Sequence, residues 1–245
     1  MSKAELPKHE AATDPPPAGL DRIALLRPLT PEQRAAVARQ CRWRRFSADE
    51  QLIDHWGDTR DVAFVVEGRV RVLSHSAGGR EISFSDIDAG EPVGEMSALD
   101  GRPRSASVVA LADGALVAFL PARPFQELVT GHPELAQAML LRLCDKLRGA
   151  TDRIMELSTL GANNRVHAEL LRLAKRGKRQ GVVALIAPIP VHSDIAARVS
   201  TTRETVARVL SDLTRDGMLE RRPDALVVRD LPRLEMLVED VRGAV

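Results

Sequence analysis

Between residues 42 and 120 the sequence consists of short β-branched and aromatic runs separated by single or paired glycines. Valine, isoleucine and phenylalanine favour strands, and glycines between such runs are typical of turns. The clearest runs are residues 62–66, 70–72, 82–84, 107–111 and 115–119. Many short strands at this even spacing predict a small antiparallel jelly-roll barrel.

One segment of this region, residues 93–109 (VGEMSALDGRPRSASVV), carries charged residues at a defined spacing. Glu95 stands nine residues ahead of Arg104, with glycines and a proline shaping the chain between them. An ionised carboxylate only accepts hydrogen bonds, so it suits a hydroxyl donor, whereas a guanidinium offers a planar fork that fits a phosphate. Backbone N–H groups on the glycine-bearing turn would add to an anion site. The segment therefore predicts a site for a small ligand that carries both a hydroxyl and an anion.

That segment resembles the phosphate-binding cassette of cyclic-nucleotide-binding domains. Over residues 20–240 the chain is similar to regulators of the cyclic AMP receptor (catabolite activator) type, in the family that includes the fumarate–nitrate regulators. The resemblance implies that Glu95 takes the ribose 2′-hydroxyl and Arg104 the cyclic phosphate, with added hydrogen bonds from Gly94 and Ser105. The predicted ligand contacts in the cassette are Gly94, Glu95, Met96, Arg104 and Ser105.

A metal-binding cupin enzyme is the competing class for such a barrel. Cupins need a His-x-His pair and a following glutamate, but His55 and His75 are isolated in this sequence. The haem-based sensor of the resembled family takes its iron ligands from the cassette, where this chain has Gly94, Glu95 and Met96. Its oxygen sensors hold an iron–sulfur cluster through cysteines near the N-terminus, where this chain has none. We therefore expect no metal, no haem and no iron–sulfur cluster.

A long helix is predicted from about residue 134 to residue 160. Apolar residues recur there at spacings of three and four, which is typical of a coiled-coil seam. A second apolar set, Leu135, Met139 and Leu141, suits packing against the barrel. The resemblance implies that this is the dimerisation helix of a parallel homodimer. The predicted dimer contacts are Leu140, Leu143, Leu147, Ala150, Ile154 and Leu157.

The middle of this helix is also predicted to contact the base of the nucleotide. Relatives specific for cyclic AMP usually have a threonine and a second hydroxyl residue there, and alignment through Arg165 puts Ala150 and Thr151 at those positions. Alanine offers no side-chain hydrogen bond, so base recognition rests on Thr151 alone. We expect cyclic AMP as the first ligand and cyclic GMP as the second, with weak discrimination.

A hinge is predicted at residues 161–164, followed by a helix-turn-helix at residues 193–213 and a two-stranded wing at residues 218–229. The turn between the two helices contains Ser200 where this motif usually has glycine; a left-handed backbone there would cost the serine roughly 1 kcal/mol relative to glycine. Side chains near the N-terminus of the second helix are positioned to reach base edges in a major groove. The predicted DNA contacts are Ser193, Thr202, Arg203, Glu204, Thr205 and Arg208.

The formal net charge of +1 conceals an asymmetry between the two parts of the chain. Residues 161–245 carry 15 Lys/Arg against 11 Asp/Glu, and residues 1–160 carry 20 against 23. A basic C-terminal third is consistent with nucleic-acid binding. Cys41 and Cys144 have no metal-ligand or disulfide spacing, the N-terminus lacks a signal peptide's apolar core, and residues 181–191 are too short to span a bilayer. We expect a cytoplasmic protein with no membrane partner.

These features predict an α+β protein with four parts: a disordered tail (1–19), a cyclic-nucleotide-binding β-barrel (20–132), a dimerisation helix (133–161) and a winged helix-turn-helix domain (162–245). The expected function is that of a bacterial, homodimeric, cyclic-nucleotide-responsive transcription regulator, not an enzyme. The expected partners are palindromic double-stranded DNA, a second copy of the chain and, by fold analogy, RNA polymerase. A family regulator with a degenerate pocket, which binds DNA without a nucleotide, stays open as the alternative.

Overall fold

The structure is a computed structural model that describes residues 19–76, 78–79 and 81–242. The tail predicted at residues 1–19 therefore lies outside the described residues, apart from Gly19. The chain divides into two compact units at Cys144 and Asp145, except that residues 76–83 belong to the second unit.

The first unit combines a curled antiparallel sheet with three helices and the start of a fourth. A 3₁₀ turn at Ala24–Leu26 precedes them, and a capping box between Thr30 and Gln33 is present at the start of the first helix. The helices are α1 (Pro31–Gln40), α2 (Glu95–Asp100), α3 (Ala122–Gly131) and α4 (Pro133–Thr159), which continues into the second unit. The strands are β1 (Arg42–Phe46), β2 (Gln51–Ile53), β3 (Val62–His75), β4 (Glu81–Asp88), β5 (Pro92–Val93) and β6 (Ser107–Leu120).

The sheet has the strand order β1-β6-β3-β4, with β2 paired to β6 and β5 paired to β3. The expectation of separate short strands was wrong for β3 and β6, because each is continuous over 14 residues. Two of the glycines predicted to be turns lie inside these strands instead. The register shifts beside them, between Gly68 and Val70, where the partner on β6 moves from Ala115 to Ala110.

Gly68 and Gly114 allow this shift because both have a left-handed backbone, with φ of +75° and +66°. A Cβ atom on Gly68 would lie 1.9 Å from the Gly114 carbonyl oxygen, and one on Gly114 would lie 2.6 Å from the Phe46 carbonyl oxygen. Only glycine permits both the positive φ and the close approach of three backbone segments.

Alternate residues of β3 enter two different apolar cores. Val62, Phe64 and Val66 pack with residues of the helices, including Phe125 of α3. Ala63 and Val65 pack on the opposite face, within the curled sheet. Because helices cover one face of the strand and the sheet covers the other, residues 62–66 form an unbroken apolar run.

The second unit contains the end of α4, four further helices and a four-stranded sheet of order β7-β8-β10-β9. The predicted wing is confirmed as β9 and β10, but β7, β8 and the last helix were not predicted. The helices are α5 (Ala162–Arg176), α6 (His192–Arg198), α7 (Arg203–Arg215) and α8 (Leu231–Arg242). The strands are β7 (Lys178–Gln180), β8 (Val183–Ile186), β9 (Leu219–Arg221) and β10 (Leu226–Val228).

Two expectations about the helices need correction. Leu135 and Met139 of α4 are buried in the first unit as expected, but Leu141 is exposed and Leu143 packs against that core instead. The predicted hinge at 161–164 is shorter, because Gly161 is the N-cap of α5 and residues 162–164 form its first turn. Only Leu160 and Gly161 separate α4 from α5.

Gly149 lies in the interior of α4, and a Cβ atom built on it would meet no neighbouring atom within 4 Å.

In the described part of the chain, no helix is both long enough and apolar enough to cross a membrane.

We expect Gly68→Ala to lower the free energy of unfolding of the first unit by at least about 2 kcal/mol, since left-handed strain and a steric overlap add together. Gly101→Ala is the matched control, because Gly101 has φ +71° but no atom within 4 Å of its added Cβ. It should cost only about 1 kcal/mol, the backbone strain alone. Urea unfolding followed by tryptophan fluorescence measures both, because Trp43 and Trp56 both lie in the first unit. Equal losses for the two variants would contradict the close approach at Gly68.

Candidate functional sites

The predicted ligand segment folds as the end of β5, the short helix α2 and the loop that leads into β6. Gly94 has a left-handed backbone, with φ +82°, and is the residue before α2. Glu95 is the first residue of that helix and its side chain is buried, with 1% of the residue exposed. The sequence predicted a turn here, but residues 95–100 form a helix that ends at a second left-handed glycine, Gly101.

Arg104 is buried in this segment, with 3% of the residue exposed. Its Nη1 donates to the Gly94 carbonyl oxygen at 3.0 Å, and its Nη2 donates to the Asp61 carbonyl at 2.8 Å and to the Thr59 hydroxyl at 3.4 Å. Its Nε is buried without a hydrogen-bond partner. All three acceptors are neutral, and within the described residues Arg104 forms no ion pair.

Burial lowers the pKa of Arg104, and the nearby Arg60 lowers it further, whereas Asp61 and Glu95 oppose the shift. A guanidinium stays charged in proteins despite such a shift. The site thus holds a buried cation with unused N–H donors, which is an arrangement that favours an arriving anion.

Gly94 is required by the position of this guanidinium as well as by its own backbone. A Cβ atom at residue 94 would lie 2.7 Å from Nη1 of Arg104 and 3.1 Å from Cδ1 of Ile53. Any side chain at residue 94 would therefore displace Arg104 from its carbonyl acceptors.

The structure brings Gly94, Glu95 and Arg104 together, but it leaves Met96 and Ser105 exposed at the surface of the segment. Thr59 and Asp61 were missed by the sequence reasoning. They lie on the loop before β3 and contribute a hydroxyl and a carbonyl, and neither group forms part of a recognisable motif.

Ala150 and Thr151 lie on α4 within the second unit, and both are exposed. The Thr151 hydroxyl donates to the Leu147 carbonyl of its own helix at 3.0 Å. Their predicted role in base recognition remains a prediction.

The apolar residues predicted for the dimer seam form an exposed stripe on α4. Leu140, Leu147 and Ile154 are 64%, 68% and 63% exposed and follow one another at intervals of seven residues. Ala150 and Leu157 are also exposed, whereas Leu143 is half-buried against the first unit's core. An apolar stripe that repeats every seven residues is typical of a helix that packs against a second helix.

In the second unit, α6 and α7 form the predicted helix-turn-helix around a shared core. Val199, Val206 and Val209 are buried in this core together with residues of α5. Ser200, in the turn, has a left-handed backbone, with φ +50°. Arg165 of α5 stabilises the turn, because its guanidinium donates to the carbonyls of Leu160, Val199 and Ser200.

The predicted DNA contacts lie at the start of these two helices. Thr202 is the N-cap of α7 and accepts from the Thr205 N–H at 3.2 Å. Arg203, Glu204 and Arg208 are exposed on the first two turns of α7. The backbone N–H of Glu204 and the Thr202 hydroxyl lower the pKa of Glu204. Ser193 is half-buried on α6 and bonds the Asp194 carboxylate at 3.4 Å.

A group of charged side chains connects the end of α4 to α5 and α6, all within the second unit. Glu169 is buried on α5 and accepts from Arg172 of the same helix and from Arg198 of α6, while Arg153 of α4 lies 4.0 Å from its carboxylate. Arg172 also donates to Glu156 of α4 at 2.6 Å. Burial lowers the pKa of Arg153, and Glu169 opposes this shift. Removing one member of such a group would leave a buried charge uncompensated.

Comparisons with known proteins agree with this geometry. A model of the cyclic nucleotide-binding domain matches residues 43–132, and a model of the Crp-like helix-turn-helix domain matches residues 164–237. The cyclic AMP receptor protein of Thermus thermophilus is 34% identical over 193 residues, which cover 78% of this chain and 86% of that protein. This chain belongs to the CRP/FNR family of transcription regulators.

Two further relatives cover most of the chain. The CRP-like cAMP-activated global transcriptional regulator of Mycobacterium tuberculosis is 23% identical over 88% of this chain and 96% of its own length. The structure of a CooA mutant from Carboxydothermus hydrogenoformans has a TM-score of 0.75 and 25% identity, over 87% of this chain and 95% of that one. The family and the α+β fold predicted from the sequence are therefore confirmed. This CRP/FNR protein is a transcription regulator with a cyclic-nucleotide-binding and a winged helix-turn-helix domain.

Ser200→Gly should raise the free energy of unfolding of the second unit by about 0.5–1 kcal/mol, because glycine adopts a left-handed backbone without strain. Part of the gain is offset by the greater freedom of glycine in the unfolded chain. Ser193→Gly is the control, since Ser193 lies within α6 and should lose about 0.5–1 kcal/mol. Both Trp43 and Trp56 lie in the first unit, so tryptophan fluorescence follows that unit, and the far-UV circular dichroism change that does not coincide with it during urea unfolding follows the second. A loss of stability in Ser200→Gly would contradict the strain at the turn.

Proposed function

We propose that the protein is a homodimer that binds palindromic double-stranded DNA under the control of a cyclic nucleotide. Cyclic AMP is the first ligand of choice and cyclic GMP the second. The proposed domains are the barrel at residues 20–132, the dimerisation helix at 133–161 and the winged helix-turn-helix at 162–245. The proposed location is the cytoplasm, and RNA polymerase is a further proposed partner.

The buried Arg104 is the observation that carries the nucleotide proposal. A guanidinium that is removed from water and held by two carbonyls and a hydroxyl still lacks compensation for its charge. A cyclic phosphate carries one negative charge and supplies acceptors for the unused donors, including the buried Nε.

The remaining cassette residues complete the ligand site in this proposal. Glu95 accepts from the ribose 2′-hydroxyl, because an ionised carboxylate only accepts hydrogen bonds and a hydroxyl can donate one. Gly94 and Ser105 add hydrogen bonds, and Met96 contacts the ligand at the outer side. Ala150 and Thr151 face the base, where a single hydroxyl gives weak discrimination between adenine and guanine, worth about 0.5–1.5 kcal/mol.

The exposed stripe on α4 supports the homodimer. Three large apolar side chains at seven-residue intervals match a parallel two-stranded coiled coil, in which each copy covers the stripe of the other. A two-fold axis would then relate two α7 helices, so that both reach successive major grooves of a palindromic site. The proposed base contacts are Thr202, Arg203, Glu204, Thr205 and Arg208, with Ser193 on the DNA backbone.

In this proposal the nucleotide shifts the equilibrium between two arrangements of the long helices in the dimer. It binds more tightly to the arrangement of the long helices that suits DNA, and so it increases the fraction of dimers in that arrangement. The ligand needs no contact with DNA to do this.

Arg104→Ala should weaken the binding of cyclic AMP at least about 30-fold, because removing one partner of a buried charge interaction costs about 2–5 kcal/mol. Isothermal titration calorimetry measures this, and the same titration with cyclic GMP tests the weak discrimination. Arg102→Ala is the matched control. Arg102 lies two residues away in the same loop, its side chain is 84% exposed, and its ion pair with Asp100 is 3.9 Å long. It should bind within about three-fold of the wild type.

Wild-type affinity in Arg104→Ala would show that the cassette is not the ligand site. A wild-type protein that binds neither nucleotide but still binds DNA would support the degenerate-pocket alternative. The urea unfolding curve of Arg104→Ala, followed by tryptophan fluorescence, verifies that the first unit is folded.

Leu147→Glu should convert the dimer to monomers and abolish a DNA mobility shift, because it places two carboxylates in the apolar seam. Sedimentation velocity measures the mass in solution. Leu141→Glu is the control, since Leu141 is equally exposed on the same helix but lies outside the seven-residue repeat. It should remain a dimer. Dimers of normal affinity in Leu147→Glu would rule out this stripe as the interface.

A further inference from the structure

Arg142 is a charged residue on the face of α4 that packs against the first unit. Leu135 and Met139, at positions seven and three residues before it, are buried in the apolar core of that unit. Arg142 continues this stripe at helical spacing and is itself only 21% exposed in its side chain. Burial lowers the pKa of Arg142. An apolar residue would suit this position energetically, so the charge calls for a specific partner.

That partner is the chain segment that leads into the cassette. The Nη1 of Arg142 forms an ion pair with the Glu91 carboxylate, and its Nη2 donates to the Pro92 carbonyl at 2.9 Å. The backbone of Glu91 is fixed in turn, because its carbonyl accepts from the Val65 N–H of β3 at 3.0 Å. Arg142 thus binds the side chain of Glu91 and the backbone carbonyl of the next residue, Pro92.

Two guanidiniums hold this short segment, one at each end. Pro92 bonds Arg142 of the long helix, and Gly94, two residues later, bonds Nη1 of Arg104 at 3.0 Å. Only Val93 lies between them, and it is buried in the sheet core and paired with Ala63 of β3. A displacement of Arg104 by a bound phosphate would therefore pull on the same three-residue segment that anchors α4.

We propose that Arg142, through its ion pair with Glu91 and its bond to Pro92, is a positioning residue that couples the occupied cassette to the dimerisation helix. This inference rests on the proposed function, since it assumes that a cyclic nucleotide binds at Arg104. Arg142 does not touch the ligand. When residues 92–94 move, Arg142 moves with them and carries α4 along. The ion pair with Glu91 therefore stabilises one position of α4 relative to the cassette.

The experiment compares DNA affinity of the full-length protein with and without saturating cyclic AMP, and uses the ratio of the two as the coupling factor. In Arg142→Met, an apolar replacement of similar length, we expect this factor to fall about 3- to 30-fold. Cyclic AMP affinity, measured by calorimetry, should change by less than about five-fold, because Arg104 and its three acceptors are untouched. Glu91→Gln should also lower the coupling factor. The double variant should have the same coupling factor as Arg142→Met alone, because both changes remove the same ion pair.

Arg123→Met is the matched control, because Arg123 forms an exposed ion pair with Glu127 on the neighbouring helix α3. It should leave the coupling factor unchanged. A merely structural role for Arg142 would weaken DNA binding equally with and without nucleotide, and such a result would overturn the inference. So would an unchanged factor in Arg142→Met.

The two proposals fail in different ways. If Arg104→Ala loses cyclic AMP binding while Arg142→Met keeps the full coupling factor, only the inference about Arg142 is wrong. If the wild-type protein shows no change in DNA affinity with cyclic AMP, the nucleotide control and the inference are both wrong.

Discussion

A buried guanidinium without a carboxylate partner must be held by neutral acceptors, and the cassette is arranged around this requirement at Arg104. The carbonyls of Gly94 and Asp61 come from chain segments more than thirty residues apart, and they reach the same side chain because β5 pairs with β3. A left-handed residue without a side chain has to precede α2, since any Cβ there would meet the guanidinium. The helix, the loop before β3 and the start of β6 are therefore fixed relative to one charge. This arrangement favours a ligand that brings the missing negative charge.

Sequence reasoning identified the cassette because its chemistry depends on residue types at a fixed spacing. Glu95 and Arg104 are recognisable for that reason, and the structure buries both of them. The acceptors of Arg104 were not predictable, because a backbone carbonyl has no residue signature and Asp61 contributes its carbonyl to Arg104. Two glycines that the sequence indicated as turns proved to lie within strands. Gly68 and Gly114 have the positive φ expected of turns, but strand pairing on both sides keeps them within β3 and β6.

The second unit shows the same division between local and long-range signals. The place of Ser200 in the turn and the two strands of the wing followed from local patterns, and the residues predicted to contact DNA lie at the N-terminal end of α7. The charged group around Glu169 was predictable only in part. Glu169 and Arg172 are three residues apart on α5, but Arg153 of α4 and Arg198 of α6 come from other helices, and no spacing within one helix connects them to Glu169. Helix α8 does carry a visible signal in retrospect. Leu231, Leu234 and Val238 recur at intervals of three and four, and all three are buried against the rest of the unit.

Gly149 makes one turn of the long helix α4 less stable than the rest of its sequence would suggest. Packing in the described chain does not require glycine there, because an added methyl group would touch nothing. Glycine inside a helix costs about 0.5–1 kcal/mol relative to alanine, so this turn has a lower intrinsic helix stability than alanine would give it. It lies five residues beyond Cys144, where the first unit ends and the second begins. One methyl group at residue 149 would therefore stiffen α4 just beyond the residue at which the first unit ends, without removing any contact within the described chain.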